Sequence, residues 1–305
     1  MHTPVKGGAP PRVIADPGAW RDALNRHRAA GQTVGVVPTM GALHAGHLSL
    51  IRLAAAQRDV VAVTVYVNPL QFAAGEDLAS YPRDLDGDLA QAGEVGATLV
   101  FAPTPDDLWP TPAATTVSVP ALSAPLEGHA RPGHFDGVGT IVTKLLSLTG
   151  PCWAYFGEKD FQQLAVVRRL VSDLSLPVEV IAGPTVRATD GLALSSRNAY
   201  LTEDERAAAP ALYYALLAGR RAVEGGERDA DAVRDAMLGV LRAEPCFAAP
   251  DYLEVADPQT VIPLERVAGE VRLLGAARLG RARLIDNIGA TSPFPNPSAP
   301  SAGGN

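Results

Sequence analysis

A chain of 305 residues, 47% hydrophobic and 19% charged, is long enough for two domains and has the composition of a globular enzyme. The formal net charge of −7 excludes a general nucleic-acid or polyanion binder, which would carry a basic face. No run of eighteen apolar residues predicts a membrane span, and MHTPVKGGAPPRV lacks the apolar core of a signal peptide, so the cytoplasm is the expected location.

In chain order, residues 1–12 are rich in Pro and Gly and read as a disordered tail. Asp16-Pro17 is a helix start, an N-cap followed by proline at the first helical position, and Trp20, Leu24 and His27 share one face of the helix that follows. VGVV at 34–37 reads as a buried strand and leads to a helix over 46–57. VVAVTVYV at 60–67 is a second strand, DLDGDLAQAGEVG a helix, and TLVF at 98–101 a third strand. GVGTIVTKLLSLTG then reads as helix, CWAYF as strand, FQQLAVVRRLVSDL as helix and VEVIAG as strand. Continuous apolar strands alternating with helices predict a parallel sheet covered on both faces. The fold class is therefore α/β, with a Rossmann-like, doubly wound domain over 13–184.

After 184 the pattern changes. Residues 203–222 and 229–243 read as Ala-rich amphipathic helices, YLEVAD at 252–257 as a strand, and 271–287 as a hairpin turning at Leu279-Gly280. Such an order predicts a smaller α+β domain over 185–290. A second disordered tail is expected over 291–305. A ligand site is expected in a cleft between the two domains.

Ligands of open parallel sheets bind beyond the carboxyl ends of strands. PTMGALHAGH follows VGVV at such a place, with Gly41 and Gly46 permitting close backbone approach and a helix N-terminus suited to phosphate. His44 and His47 are open to three readings: a metal pair lacking an evident third ligand, ordinary packed side chains, or donors to nucleotide phosphates. YFGEKDFQQL follows CWAYF and carries Lys159, one of three lysines beside Lys6 and Lys144 in an arginine-rich chain. An ammonium there suits phosphate, whereas Glu158-Lys159-Asp160 as a solvated charge run is the plain alternative. Gln162 and Gln163 offer both donor and acceptor. TDGLALSSRN places Ser195, Ser196 and Arg197 on a polar loop, and NPLQF places the uncharged amides of Asn68 and Gln71 after the second strand. LEGHARPGHFDGV is a Gly-rich loop with Arg131 and His134. Cys152 and Cys246 have no metal-ligand spacing and read as reduced, buried thiols.

Taken together, PTMGALHAGH, VNPLQF, LEGHARPGHF, FGEKDFQQL and DGLALSSRN resemble the pantoate–β-alanine ligase (pantothenate synthetase) family, in order and with similar spacing over residues 13–289. That family belongs to the nucleotidyltransferase superfamily; HAGH resembles the HIGH motif, and LSSRN the KMSKS loop of the second domain. The resemblance implies adenylation of (R)-pantoate by ATP, then attack of β-alanine on the pantoyl adenylate, giving pantothenate, AMP and pyrophosphate. It implies an ATP site at Met40, Gly41, Ala42, Leu43, His44, Ala45, Gly46 and His47, at Gly157, Glu158, Lys159 and Asp160, at Val186, and at Leu194, Ser195, Ser196 and Arg197. His47 matches the family's proton-donor position and, with His44 and Lys159, forms the expected catalytic set; stabilising phosphate charge is its more natural task. Gln71 and Gln163 match the pantoate-holding residues, Met40 would pack on the gem-dimethyl group, and Asn68 would lie toward the β-alanine amine. Mg²⁺ is implied on the phosphates. Gly87 stands where the family often has an acidic residue, which leaves Asp88 and Gln91 as candidates to touch the metal. A homodimer formed through the larger domain is also implied, and residues 73–80 are a candidate lid. Two other enzyme types stay open, a nucleotidyltransferase moving AMP onto a phosphate and a tRNA synthetase, as does a non-catalytic nucleotide-binding module.

Overall fold

The computed structural model describes residues 10–73, 75–76 and 78–295, in two compact units that divide between Val186 and Arg187. Most of the two expected tails, residues 1–9 and 296–305, and with them Lys6, lies outside the described residues, as do positions 74 and 77 of the candidate lid. The inner ends of the tails are strands: Arg12 opens one and Thr291 closes another.

The first unit is built from β1 (Arg12–Ile14), α1 (Pro17–Ala29), β2 (Val34–Thr39), α2 (Ala45–Ala55), β3 (Val60–Val65), α3 (Leu85–Glu94) and β4 (Leu99–Phe101). Three one-turn helices follow, α4 (Pro105–Leu108), α5 (Pro120–Ser123) and α6 (Glu127–Ala130), and then α7 (His134–Thr149), β5 (Cys152–Gly157), α8 (Phe161–Asp173) and β6 (Val178–Gly183). The Asp16 carboxylate caps α1 by accepting the Ala19 amide at 2.6 Å, with Pro17 pre-set for the first turn. Trp20 and Leu24 are fully buried on the inner face of α1, whereas His27 sits at the edge and bonds Gln32.

The six strands are all parallel, in the order β1-β4-β3-β2-β5-β6. Five were legible as apolar runs; β1, three residues long and behind two prolines, was not. Val60 to Val63 are buried on both sides, as a sheet covered by helices requires. From β2 the sheet grows one way through β3, β4 and β1, and the other way through β5 and β6. The switch point therefore lies between β2 and β5, whose carboxyl ends feed the loops at 40–44 and 157–160.

The second unit holds α9 (Glu203–Ala208), α10 (Ala211–Glu224), α11 (Ala230–Arg242) and an antiparallel sheet of β7 (Tyr252–Ala256), β8 (Glu270–Leu279) and β9 (Ala282–Thr291). The single helix expected over 203–222 is two, because the Pro210 ring has no N–H to donate and clashes with the preceding turn. Leu212, Leu216, Met237, Leu241, Val255 and Leu273 close its core. The hairpin turns at Gly280, whose φ of +56° favours glycine. Cys152 is buried as expected, but Cys246 is exposed. Among the described residues no helix is long and apolar enough to cross a membrane.

Candidate active site

The loop after β2 is built around its own backbone polarity. Gly41 and Ala42 have φ of +82° and +50°, a reversal that turns two amides toward α3. There the Asp88 carboxylate accepts the amide of Ala42 at 3.0 Å and that of Leu43 at 2.7 Å. A Cβ on Gly41 would stand 2.8 Å from the same carboxylate, which is why the position needs glycine. Asp88 is 3% exposed, and burial raises its pKa above the usual carboxylate range against the pull of the two amides. Each of its oxygens is thus committed to the loop, and Gln91 donates to its own helix at the Gly87 carbonyl. Asp88 anchors the 40–43 loop, and Gln91 lies one helical turn further along α3.

α2 then begins with His44 as N-cap, its Nδ1 accepting the Gly46 amide at 3.1 Å. An acceptor Nδ1 puts the proton of the neutral ring on Nε2. The His47 ring lies 4.1 Å from that of His44, centre to centre, at 38°. Part of His47 is exposed, but its Nδ1 is buried with no hydrogen-bond partner among the described residues. Burial first, and then the neighbouring His44, lower the His47 pKa to about 3; burial and Lys159 lower that of His44. Both imidazoles are therefore neutral near pH 7. Among the described residues no three His, Cys, Asp or Glu side chains gather as a metal nest, so the metal-pair reading of the histidines has no third ligand.

Across the switch point, Gly157 ends β5 and Glu158–Asp160 form a single 3-10 turn before α8. Lys159 pairs with Asp160 at 3.3 Å, and both act electrostatically on His44 and His47. The two motifs that straddle the switch point are thus one cluster. Beside it, α2 leans on the end of β6: a Cβ on Gly183 would stand 2.1 Å from Leu50.

At the end of β3, Asn68 caps a 3-10 turn over Pro69–Gln71. Its buried side-chain amide donates to Gln71 Oε1 and to the Gly137 carbonyl, both at 3.1 Å. Gln71 Nε2 in turn reaches Met40 Sδ at 3.0 Å. Three residues expected around the small substrates, Met40, Asn68 and Gln71, therefore touch in series. The two adjacent glutamines of α8 separate: Gln162 is buried and spends its amide on the Leu122 and Pro125 carbonyls and the Glu127 amide, while Gln163 stays partly exposed. Glu76, a described residue of the candidate lid, pairs with Arg131 at 2.6 Å. Arg131 and His134 were read only as parts of a Gly-rich loop; their motif was visible, their contacts were not.

In the second unit, Arg187 makes a two-pronged ion pair with the buried Asp286, at 2.6 and 2.8 Å, and bridges to Ala193. These contacts fix the stem from which Leu194, Ser195, Ser196 and Arg197 emerge, with Ser195 Oγ accepting the Arg197 amide. Val186 is the last residue of the first unit.

The family model for pantoate-beta-alanine ligase matches residues 12–289. The chain is 52% identical to the pantothenate synthetase of Oleidesulfovibrio alaskensis over 277 residues, 91% of this chain and 99% of that one. It is 51% identical to that of Cereibacter sphaeroides over 278 residues, again covering 91% and 99%. Its fold matches the crystal structure of pantothenate synthetase from Thermus thermophilus with a TM-score of 0.86 at 48% identity, covering 91% and 98% of the two chains. It also matches the pantoate-beta-alanine ligase of Francisella tularensis, complexed with beta-gamma ATP and beta-alanine, with a TM-score of 0.75 at 31% identity over 91% and 97%. The family model, the relatives and the solved structures agree along nearly the whole chain, and the chain belongs to the pantoate–β-alanine ligase family.

Proposed function

We propose that this enzyme makes pantothenate from (R)-pantoate and β-alanine with ATP, through a pantoyl adenylate formed at the β2–β5 switch point. The observation that carries the site assignment is the joining of His44, His47 and Lys159 at one place, beside the Met40–Gln71–Asn68 chain.

A carboxylate is a poor acyl donor because oxide would have to leave. In the first half-reaction a pantoate carboxylate oxygen attacks the α-phosphorus, and the α–β bridging oxygen leaves with pyrophosphate. Negative charge grows on the α-phosphoryl oxygens and on the departing group. Lys159 supplies a fixed positive charge there, and the neutral imidazoles of His44 and His47 supply N–H donors without adding like charge beside it. Gln71 and Gln163 bind and orient pantoate, Met40 packs on its gem-dimethyl group, and Asn68 turns toward the β-alanine amine. In the second half-reaction that amine attacks the acyl carbon, AMP leaves with the bond electrons, and the amine gives up a proton to solvent or phosphate.

The nucleotide roles of Met40–His47, Gly157–Asp160, Val186 and Leu194–Arg197 rest on the family resemblance. Magnesium would come with the ATP phosphates, and Asp88 and Gln91 are the side chains we propose to touch it, Asp88 from where the loop amides hold it. The assembly we propose is a homodimer through the larger domain, working in the cytoplasm.

The test is isotope exchange. Labelled pyrophosphate should enter ATP only when (R)-pantoate is present, and adding β-alanine should convert ATP to AMP with stoichiometric pantothenate. Exchange that runs without pantoate, or with other carboxylates in its place, overturns the substrate assignment.

A further inference from the structure

The motif LEGHARPGHFDGV has no role in the chemistry above, yet it runs directly into Gln71. The Gln71 main-chain carbonyl accepts His134 Nδ1–H at 2.8 Å and lies 3.5 Å from Arg131 Nη2. Arg131 Nη1 sits 3.1 Å from His134 Nε2. A guanidinium can only donate, so Nε2 must be bare and the proton must sit on Nδ1. The ring is thereby fixed in the one tautomer that can hold the Gln71 carbonyl. Arg131 is itself held by both oxygens of Glu76, at 2.8 and 2.6 Å. The other end of Gln71 is held by Asn68 and Met40. Beneath it α7 passes so close that a Cβ on Gly137 would stand 2.6 Å from the Gln71 Cα.

We propose that Arg131 and His134 are positioning residues that set the place and angle of Gln71 for the small carboxylic acid substrate. The inference rests on the assignment of Gln71 to pantoate made above. It requires that loss of the His134 contact be felt by pantoate and not by ATP, and that the effect vanish once the Gln71 amide is gone. A residue serving only the stability of α7 would do neither.

The experiment is steady-state kinetics with (R)-pantoate, ATP and β-alanine on His134→Phe, His134→Asn, Arg131→Lys, Gln71→Ala and the double variant Gln71→Ala/His134→Phe. His134→Phe should raise the pantoate KM about tenfold or more, the scale of a side chain displaced by a fraction of an ångström, with the ATP KM within about twofold of the parent. His134→Asn, whose amide can donate from the place of Nδ1, should recover most of that loss. Arg131→Lys, which lacks the fork that orders the ring, should raise the pantoate KM and carries the test if the phenylalanine variant does not fold. In the Gln71→Ala background His134→Phe should add less than about twofold. Equal effects on both substrates, or effects that multiply in the double variant, overturn the proposal. A Gln71→Ala enzyme with the parental pantoate KM removes the assignment of Gln71 and the inference with it. A raised KM in Gln71→Ala beside parental values in both His134→Phe and Arg131→Lys removes the inference alone.

Discussion

The rings of His44 and His47 lie 4.1 Å apart at the start of α2, and both are kept neutral by burial first, with His44 the second cause for His47 and Lys159 the second for His44. A buried imidazolium loses its hydration, and a positive neighbour adds to that cost. In the proposed reaction both would act as neutral donors.

The pH dependence of stability follows from this. The His47 pKa is about 3 in the folded chain against about 6.5 for an ordinary histidine, so the unfolded chain binds the proton first as pH falls. Folding stability should therefore decline from about pH 6.5 toward pH 3. Replacing His47 by Gln should remove up to one proton of that slope, about 1.4 kcal/mol per pH unit. Urea unfolding at several pH values measures it; an unchanged slope would mean that His47 titrates normally.

Loss of either proposed transition-state donor should be severe. His47→Ala and Lys159→Ala should each slow pantoate-dependent pyrophosphate exchange by about a hundredfold or more, the usual cost of one such group. Rates within a few-fold of the parent in both would remove them from the catalytic set.

Asp88 distinguishes an anchor from a metal ligand. Asp88→Asn keeps the shape but can accept only one of the two loop amides and turns an N–H against the other. Stability should fall by about 1–3 kcal/mol and catalysis with it, and an unchanged magnesium concentration for half-maximal rate would leave Asp88 an anchor alone. A rightward shift of the magnesium titration is the outcome expected if Asp88 also touches the metal.

Two glycines make a matched pair. At Gly137 an added Cβ would lie 2.1 Å from the Leu70 carbonyl oxygen, so Gly137→Ala should push the 69–71 turn away, costing about 1–3 kcal/mol and weakening pantoate binding. At Gly239, exposed within α11, nothing lies within 4 Å, and Gly239→Ala should stabilise by about 0.5–1 kcal/mol. Thermal melts and pantoate KM values for the two separate crowding from helix propensity.

Long apolar runs were readable because a strand buried on both faces has no polar alternation to hide it; Val60–Val63 is the plainest case. Arg12–Ile14 escaped notice because three residues carry no period, and the prolines before them resemble a tail. Pro210 was visible, yet the Ala-rich stretch around it suggested one helix where its ring makes two. Around the site, residue types could be read but partners could not. Gln162 and Gln163 look alike in sequence, and only packing shows that the first is spent on the Leu122 and Pro125 carbonyls. Asp88 was read only as a metal candidate from the family's acidic pattern; its bond to Ala42 crosses 46 positions of the chain, a distance no local pattern reveals.

The pairing of Arg12–Ile14 with Leu99–Phe101 also bears on how this enzyme can be trimmed or fused. Pro11 packs beside Gly93 of α3, and Ile14 is buried. Deletion into this stretch would strip the last strand from one side of the sheet and leave the backbone groups of β4 open to any extended segment that drifts by. An affinity tag with its protease site belongs upstream of Pro10, where cleavage leaves that border closed.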